Sequence, residues 1–471
     1  MKMISCLARP ARPGLLAAGG LICSVAALAQ GVQEQQIAGT PTLTFGLDSR
    51  LVANDNLGLD ADSAGTSTFW ENSFALGLDS QTQLSRLRLD FAGVARAADT
   101  PGFSGTSGFD EPEIGLAYSR EGTNARIEAD TRFSQRDLAF LNALRGGDDI
   151  TDNTFIQQGG TREIREGSFL LETGLTAPLG FSFGIDHREE DFSGTQDPDF
   201  FDSDRTQLTA SARARLSPRT EGVLSLSQTD YSASDTQQTD RETHEISFAV
   251  THEVSRIMLL EASIGATDVD ESFDTPGIPD DDQNGLTGSF ALTRELPTGS
   301  VGASIDSRVE NTGQRTELAV QRTLLMPRAE LSVSAGVSDT ENGGIDPNAD
   351  ISYIQQLPTG ELSLTFSQSV VTSDDSDDLR RSRAALVYRH EINSLSRVFL
   401  NFDYIDVAEA GSGNAQDEKR ATLSVTYSRD IAADWDLNIG YTYDYEKTSG
   451  IPSADSNEIS LGISRTFSIR P

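Results

Sequence analysis

The stretch "QLPTGELSLTFSQSVVTSDDSDD", residues 356–378, holds three kinds of chemistry in one short segment. It opens on a Pro-Thr-Gly turn, continues with Leu362, Leu364 and Phe366 alternating against Glu361, Ser363, Thr365 and Ser367, and ends in Asp374, Asp375, Asp377 and Asp378. Side chains of a strand point alternately to opposite faces, so a period of two reads as a strand with one apolar face. The turn recurs as "ELPTG" at 295–299, which marks the segment as a repeated unit.

The same alternation appears further along. In "SVGASIDSRVE" Val301, Ala303, Ile305 and Val309 oppose Ser304, Asp306, Arg308 and Glu310; in "WDLNIGYTYDY" Leu437, Ile439, Tyr441 and Tyr443 oppose Asp436, Asn438, Gly440 and Asp444. Short connections at 176–180, 216–220, 253–256, 295–299, 325–328, 356–360, 392–396 and 431–435 carry the Pro, Gly, Asn and Ser of hairpin turns. The opposite strand ends open into longer acidic stretches such as "DFSGTQDPDFFDSDR", "DVDESFDTPGIPDDDQNG" and "DTENGGIDPNAD", with "NTGQ" (311–314) the one short member. This scheme gives about twenty-two strands of roughly ten residues, within a range of about 18–24, the length that crosses a bilayer when tilted.

Unpaired backbone groups cost several kcal/mol each in hydrocarbon, so such strands must close into a ring without edges. The fold class read here is therefore all-β: a transmembrane antiparallel up-and-down β-barrel, with short periplasmic turns and long acidic external loops. A secreted β-sandwich array lacks the short–long alternation, and an autotransporter-like β-helix does not turn back through hairpins. Trp70, Tyr231, Trp435 and Tyr445 lie near strand ends, where aromatic girdles belong. The last strand, "NEISLGISRTFSIRP", resembles the C-terminal signal read by the outer-membrane assembly machinery, except that Arg470-Pro471 follow its last apolar residues.

Ahead of the strands, Lys2, Arg9 and Arg12 precede "GLLAAGGLICSVAALA", and Ala27-Leu28-Ala29 fits a cleavage site before Gln30. The expected organisation is a signal peptide over 1–29, a short periplasmic segment over 30–39 and one barrel over 40–471. Both cysteines, Cys6 and Cys23, fall in the signal, so no disulfide would hold the exported chain. Taking the three signal cations from 37 bases leaves 34 against 72 acids, a net charge of −38. That balance argues against nucleic acid or anionic lipid as a partner. No apolar run after the leader is long enough for a membrane helix.

Function is less legible. A ring of this size has a lumen unless something fills it. A TonB-dependent receptor carries a plug domain ahead of its strands, whereas here only "QGVQEQQIAG" lies between Gln30 and the first strand. The longest connection, 137–166, corresponds in position to the third loop that narrows general porins. Inward folding would set Asp148, Asp149 and Asp152 against lumen arginines Arg126, Arg132, Arg213 and Arg215 as a constriction; a surface loop is the competing reading. Asp280, Asp282, Asn284 and Gly285 have the spacing that opens an EF-hand loop, but Ala291 stands where its closing Glu belongs. That leaves at most loosely bound Ca²⁺ at external loops, here or at Asp374–Asp378, and no other cofactor. His187 follows Asp186, but neighbours along a strand face opposite ways, and no catalytic constellation emerges.

The phrase "SRLVANDNLGLD" (49–60), with Asp55, Asn56 and Leu57, followed by "LSRLRLDFAGVARA" (84–97), resembles the opening of a family of outer-membrane β-barrel porins found with exopolysaccharide or PEP-CTERM surface systems. The resemblance implies a barrel that conducts small solutes or serves polysaccharide export, in the outer membrane of a Gram-negative bacterium. It carries over no functional residue. The alternative is a surface-display barrel with a blocked lumen, its acidic loops meeting divalent ions, glycans or lipopolysaccharide.

Overall fold

The computed structural model describes residues 41–102, 107–140, 159–195, 198, 200–341, 344–372, 378–410 and 417–470. Among them run twenty-two strands: β1 (Thr42–Asn54), β2 (Ser67–Gln81), β3 (Ser85–Asp99), β4 (Gly108–Glu121), β5 (Ala125–Asp137), β6 (Thr161–Thr173), β7 (Leu179–Ser193), β8 (Ser203–Ser217), β9 (Thr220–Ala233), β10 (Thr239–Ser255), β11 (Met258–Phe273), β12 (Asp281–Leu296), β13 (Gly299–Glu310), β14 (Gly313–Met326), β15 (Ala329–Thr340), β16 (Gly344–Leu357), β17 (Gly360–Thr372), β18 (Asp378–Asn393), β19 (Ser396–Glu409), β20 (Glu418–Ala432), β21 (Trp435–Thr448) and β22 (Ala454–Ile469). Each pairs antiparallel with the next, and β22 returns to β1 over Leu43↔Ile469 to Asn54↔Glu458. The sheet has no free edge. Every hairpin turn expected between 176 and 435 falls between two paired strands.

The two faces differ as the alternation requires. Leu76, Leu208, Leu226, Ile246, Ile264 and Phe290 stand exposed on the outer face, while Asp48, Arg50, Glu71 and Arg96 face the lumen, Arg50 opposite Glu71 and Glu71 opposite Arg96. Outward apolar exposure of this extent belongs in hydrocarbon, since water would disfavour it by about 25 cal/mol per Å².

Strands are longer than the ten residues expected, from 12 in β13 to 17 in β10. At about 3.3 Å per residue they overrun the hydrocarbon thickness, and the excess lies at the external end. Much of what reads as acidic loop is strand: β15 runs to Thr340 and β16 resumes at Gly344, so "DTENGGIDPNAD" is mostly ladder. Tyr231 also departs from expectation. It shares the inward face of β9 with Ser225 and Ser227, and the Arg241 guanidinium lies 5.3 Å from its ring centre, so it belongs to the lumen; Trp70 does face outward, half exposed.

Candidate functional site: the external mouth of the lumen

Buried lumen side chains concentrate in the external halves of the strands, among them Glu71, Arg96, Thr267, Glu271, Arg315, Ser338, Arg420 and Thr422. The register explains why. In three places a ladder stops while both neighbouring ladders continue. The β4–β5 ladder ends at Glu113↔Ser134, β12–β13 at Gly288↔Ser307 and β16–β17 at Ala349↔Gln368. Beyond these points β5–β6 continues to Asp137↔Thr161, β13–β14 to Glu310↔Gly313 and β17–β18 to Thr372↔Asp378. Each of these three hairpins has separated from the strand before it.

Side-chain contacts show which way they lean. After β5, a single 3-10 turn, Leu138–Phe140, buries Leu138 and Ala139. Phe140 meets Phe69 edge-on at 5.3 Å and lies 3.5 Å from the Arg96 guanidinium, both on the lumen face of β2 and β3. Val309 has the parity of lipid-facing Ile305, yet it is buried and abuts Gly285, an inward position of β12. The third external connection therefore begins by turning inward, and Val309 leaves the outer face because β13 leaves the wall.

Beneath the 3-10 turn lies a chain of alternating charge. Arg50 pairs with Glu71 (2.5 Å), Glu71 with Arg96 (2.8 Å), Arg96 with Glu111 (2.9 Å), Glu111 with Arg136 (3.4 Å), Arg136 with Glu113 (3.3 Å) and Glu113 with Arg132 (3.1 Å). A second set on β6 and β7 joins Glu166 to Arg188 (2.5 Å), Arg188 to Glu190 (3.1 Å) and Glu190 to Arg162 (2.5 Å). Alternation neutralises this wall locally and leaves a polar, hydrogen-bonding surface.

The structure separates the constriction candidates. Arg132 lies in the chain just described. Arg126, beside the β4–β5 turn, pairs with Glu128, and Arg213 pairs with Glu221 (3.3 Å) and donates to the Gly174 carbonyl (2.7 Å). Arg213, Arg215 and Arg126 stand at the periplasmic ends, away from Arg132; Asp148, Asp149 and Asp152 lie outside the described residues. Asp280 precedes β12, whereas Asp282 and Asn284 are within it, opposite Asp270 and Asp268 on the outer face. Among the described residues no three His, Cys, Asp or Glu side chains group to hold a metal. His187 faces outward with Thr206 (3.0 Å) and Asp204 (3.7 Å), and Asp186 points the other way.

Arg96, Phe140 and Arg315 belong to the site although no motif in the sequence singles them out. Two prolines do carry a mark. Pro112 stands just N-terminal to Glu113, the last β4 residue paired with β5, in a bulge where Glu111 has φ 54°, and Pro347 stands two residues N-terminal to Ala349, the last β16 residue paired with β17. Proline inside a strand pattern marks an edge or a bulge, and that was the available signal.

No family model and no curated protein matches the chain. Solved structures do share its fold. The FrpB iron transporter of Neisseria meningitidis (F5-1 variant) aligns at a TM-score of 0.60 and 10% identity over 94% of this chain and 84% of that one. BauA, the ferric preacinetobactin receptor of Acinetobacter baumannii, aligns at 0.56 and 10% over 91% and 80%. The ferric-catecholate import receptor Fiu of E. coli K12 aligns at 0.56 and 10% over 93% and 82%. At such identity the likeness is one of fold: a closed antiparallel 22-stranded outer-membrane-type barrel. These structures are receptors and an iron transporter, and the porin resemblance of the first strands rests on those strands alone.

Proposed function

We propose that the chain is exported by its leader, inserted into the outer membrane of a Gram-negative bacterium, and acts there as a conduit for small polar solutes. One observation carries this reading: an edgeless ring whose outer face is apolar and whose inner face carries charge. Membrane β-barrels must have the first property, and a water-filled lumen uses the second. The solved structures of the same fold are an iron transporter and receptors for ferric compounds, which favours passage across the outer membrane as the general activity. Lipopolysaccharide and the barrel assembly machinery are the expected partners, with Ca²⁺ at most loosely held by external acids and no reaction catalysed.

A display barrel with a blocked lumen is the second reading, favoured by the burial of the external mouth. Purified protein in planar bilayers separates the two. The conduit gives discrete ion steps, and liposomes containing it swell in a monosaccharide. Folded protein that produces neither is a display barrel; swelling in an oligosaccharide as fast as in a monosaccharide assigns a polysaccharide conduit instead.

A further inference from the structure

We propose that the last paired rungs of β17 and β18, from Val370↔Arg380 to Thr372↔Asp378, form a latch, folded into the lumen mouth and pinned there by Arg315. Pro347 ends the β16–β17 ladder. Its carbonyl accepts from the Gln368 side chain (2.8 Å), so this residue's backbone polar edge faces β17. Residues that bond a given antiparallel neighbour recur every second position, and Ala349 pairs with Gln368. Pro347 facing Val370 is therefore the next rung, and proline has no N–H to supply it. The ladder ends there.

The Val370 carbonyl left without that donor accepts from Arg315 Nη1 (3.3 Å), a side chain on the lumen face of β14. Arg315 Nη2 donates to Thr372 Oγ1 (2.6 Å) and Asp378 Oδ1 (2.6 Å), and Glu310 completes the cluster at 3.1 Å. Thr372 also bonds Glu310. Arg380 reaches toward Asp346 on the lumen face of β16 at 3.8 Å. Val370, Thr372, Asp378 and Arg380 all have the parity of Phe366 and Ala384, which lower down face lipid. A face that begins toward lipid thus ends against the inner wall of β14–β16, which places Thr372 and Asp378, the last described pair of this ladder, inside the ring. Its other face packs Leu379 and Val371 on Ile405 and Val407 of β19.

The pin is strong and breakable by one change. The Arg315 and Asp378 side chains are 3% and 8% exposed, and removing one partner of a buried pair leaves the other charge uncompensated. With the pin gone, the hairpin realigns toward the wall, Leu379 loses its cover, and the mouth widens. Pro112 stands in the same relation to β5–β6, nearly across the ring, so the mouth is narrowed from two sides by the same device.

The test places a cysteine at Leu379, 2% exposed, with Cys6 and Cys23 replaced by serine, and follows its modification by a charged maleimide in proteoliposomes. Arg315→Met speeds labelling at least about tenfold. Pro347→Thr, which restores the missing N–H without touching the ion cluster, speeds it too. Unchanged labelling in both variants, each shown folded by heat-modifiable migration, overturns the latch. The proposal leans on the conduit reading only for its effect on conductance, which Arg315→Met raises. Faster labelling with no ion steps in any variant upholds the latch and rejects the conduit.

Discussion

At the residue scale, the buried ions of the mouth differ in kind from the ion pairs around them. Arg96 and Glu71 have side chains 2% and 3% exposed and between them meet four further partners, Arg50 at Glu71 and Asp110, Glu111 and Phe140 at Arg96. Charges out of water are held by such mutual satisfaction, and truncating one partner costs about 3–5 kcal/mol. Arg165, with its side chain 46% exposed beside Glu163, Glu189 and Asp191, is solvated and screened, and exposed pairs contribute about 0–1 kcal/mol. Glu71→Ala should therefore lower the guanidinium unfolding midpoint of the micelle-bound barrel far more than Arg165→Ala does. Equal shifts in the two variants would show that the Arg96 site is as wet as the rim. The inward direction of Arg96 was legible from Ala95 and Ala97 on either side of it, whereas Glu71, between Trp70 and Asn72, carries a weaker mark. Their burial was not, because it comes from Phe140, a residue brought back onto β2 and β3 only by the turn after β5.

At the element scale, one strand contains its own control. Leu226 of β9 is half exposed on the outer face, and Ser225 next to it faces the lumen opposite Ser211. An arginine near mid-membrane on the lipid face costs about 2–4 kcal/mol, whereas in a watery lumen it stays solvated. Leu226→Arg should depress folding yield and unfolding midpoint, while Ser225→Arg leaves both nearly unchanged and alters conductance. A reversed order would put lipid on the wrong side of the sheet. This alternation, with the turn chemistry at sites such as 295–299 and 356–360, is why the element order could be read from the chain: both signals are local. The acidic strand ends were misread as loops because a strand above the membrane no longer needs an apolar face, so Asp268, Asp270 and Asp282 carry no period-two signature although they are paired. Where ladders would stop was legible only at Pro112 and Pro347; the β12–β13 seam, with Gly285 and Gly288 in place of proline, offers no comparable mark.

At the scale of the whole molecule, the distribution of charge matters more than its sum. The chain carries a formal −35, yet the described lumen wall from β1 to β7 alternates sign, so it contributes little net field. Unbalanced carboxylates lie instead at the external ends, including Asp204, Asp230, Asp268, Asp270 and Asp282, several of them facing outward around the rim. Charges so placed act on a permeating ion across a distance set by salt. The screening length is about 30 Å at 0.01 M, about 10 Å at 0.1 M and about 3 Å at 1 M. Reversal potentials in potassium chloride gradients should therefore favour potassium clearly at the lowest salt and approach no preference near molar salt. A carboxylate ring inside a constriction would behave otherwise, since a permeating ion touches it and the preference survives high salt. Neutralising Asp268, Asp270 and Asp282 together should remove most of the low-salt preference while leaving single-channel conductance at molar salt unchanged. Chloride preference, or a cation preference independent of salt, would place the selecting charge in the lumen and contradict the rim assignment.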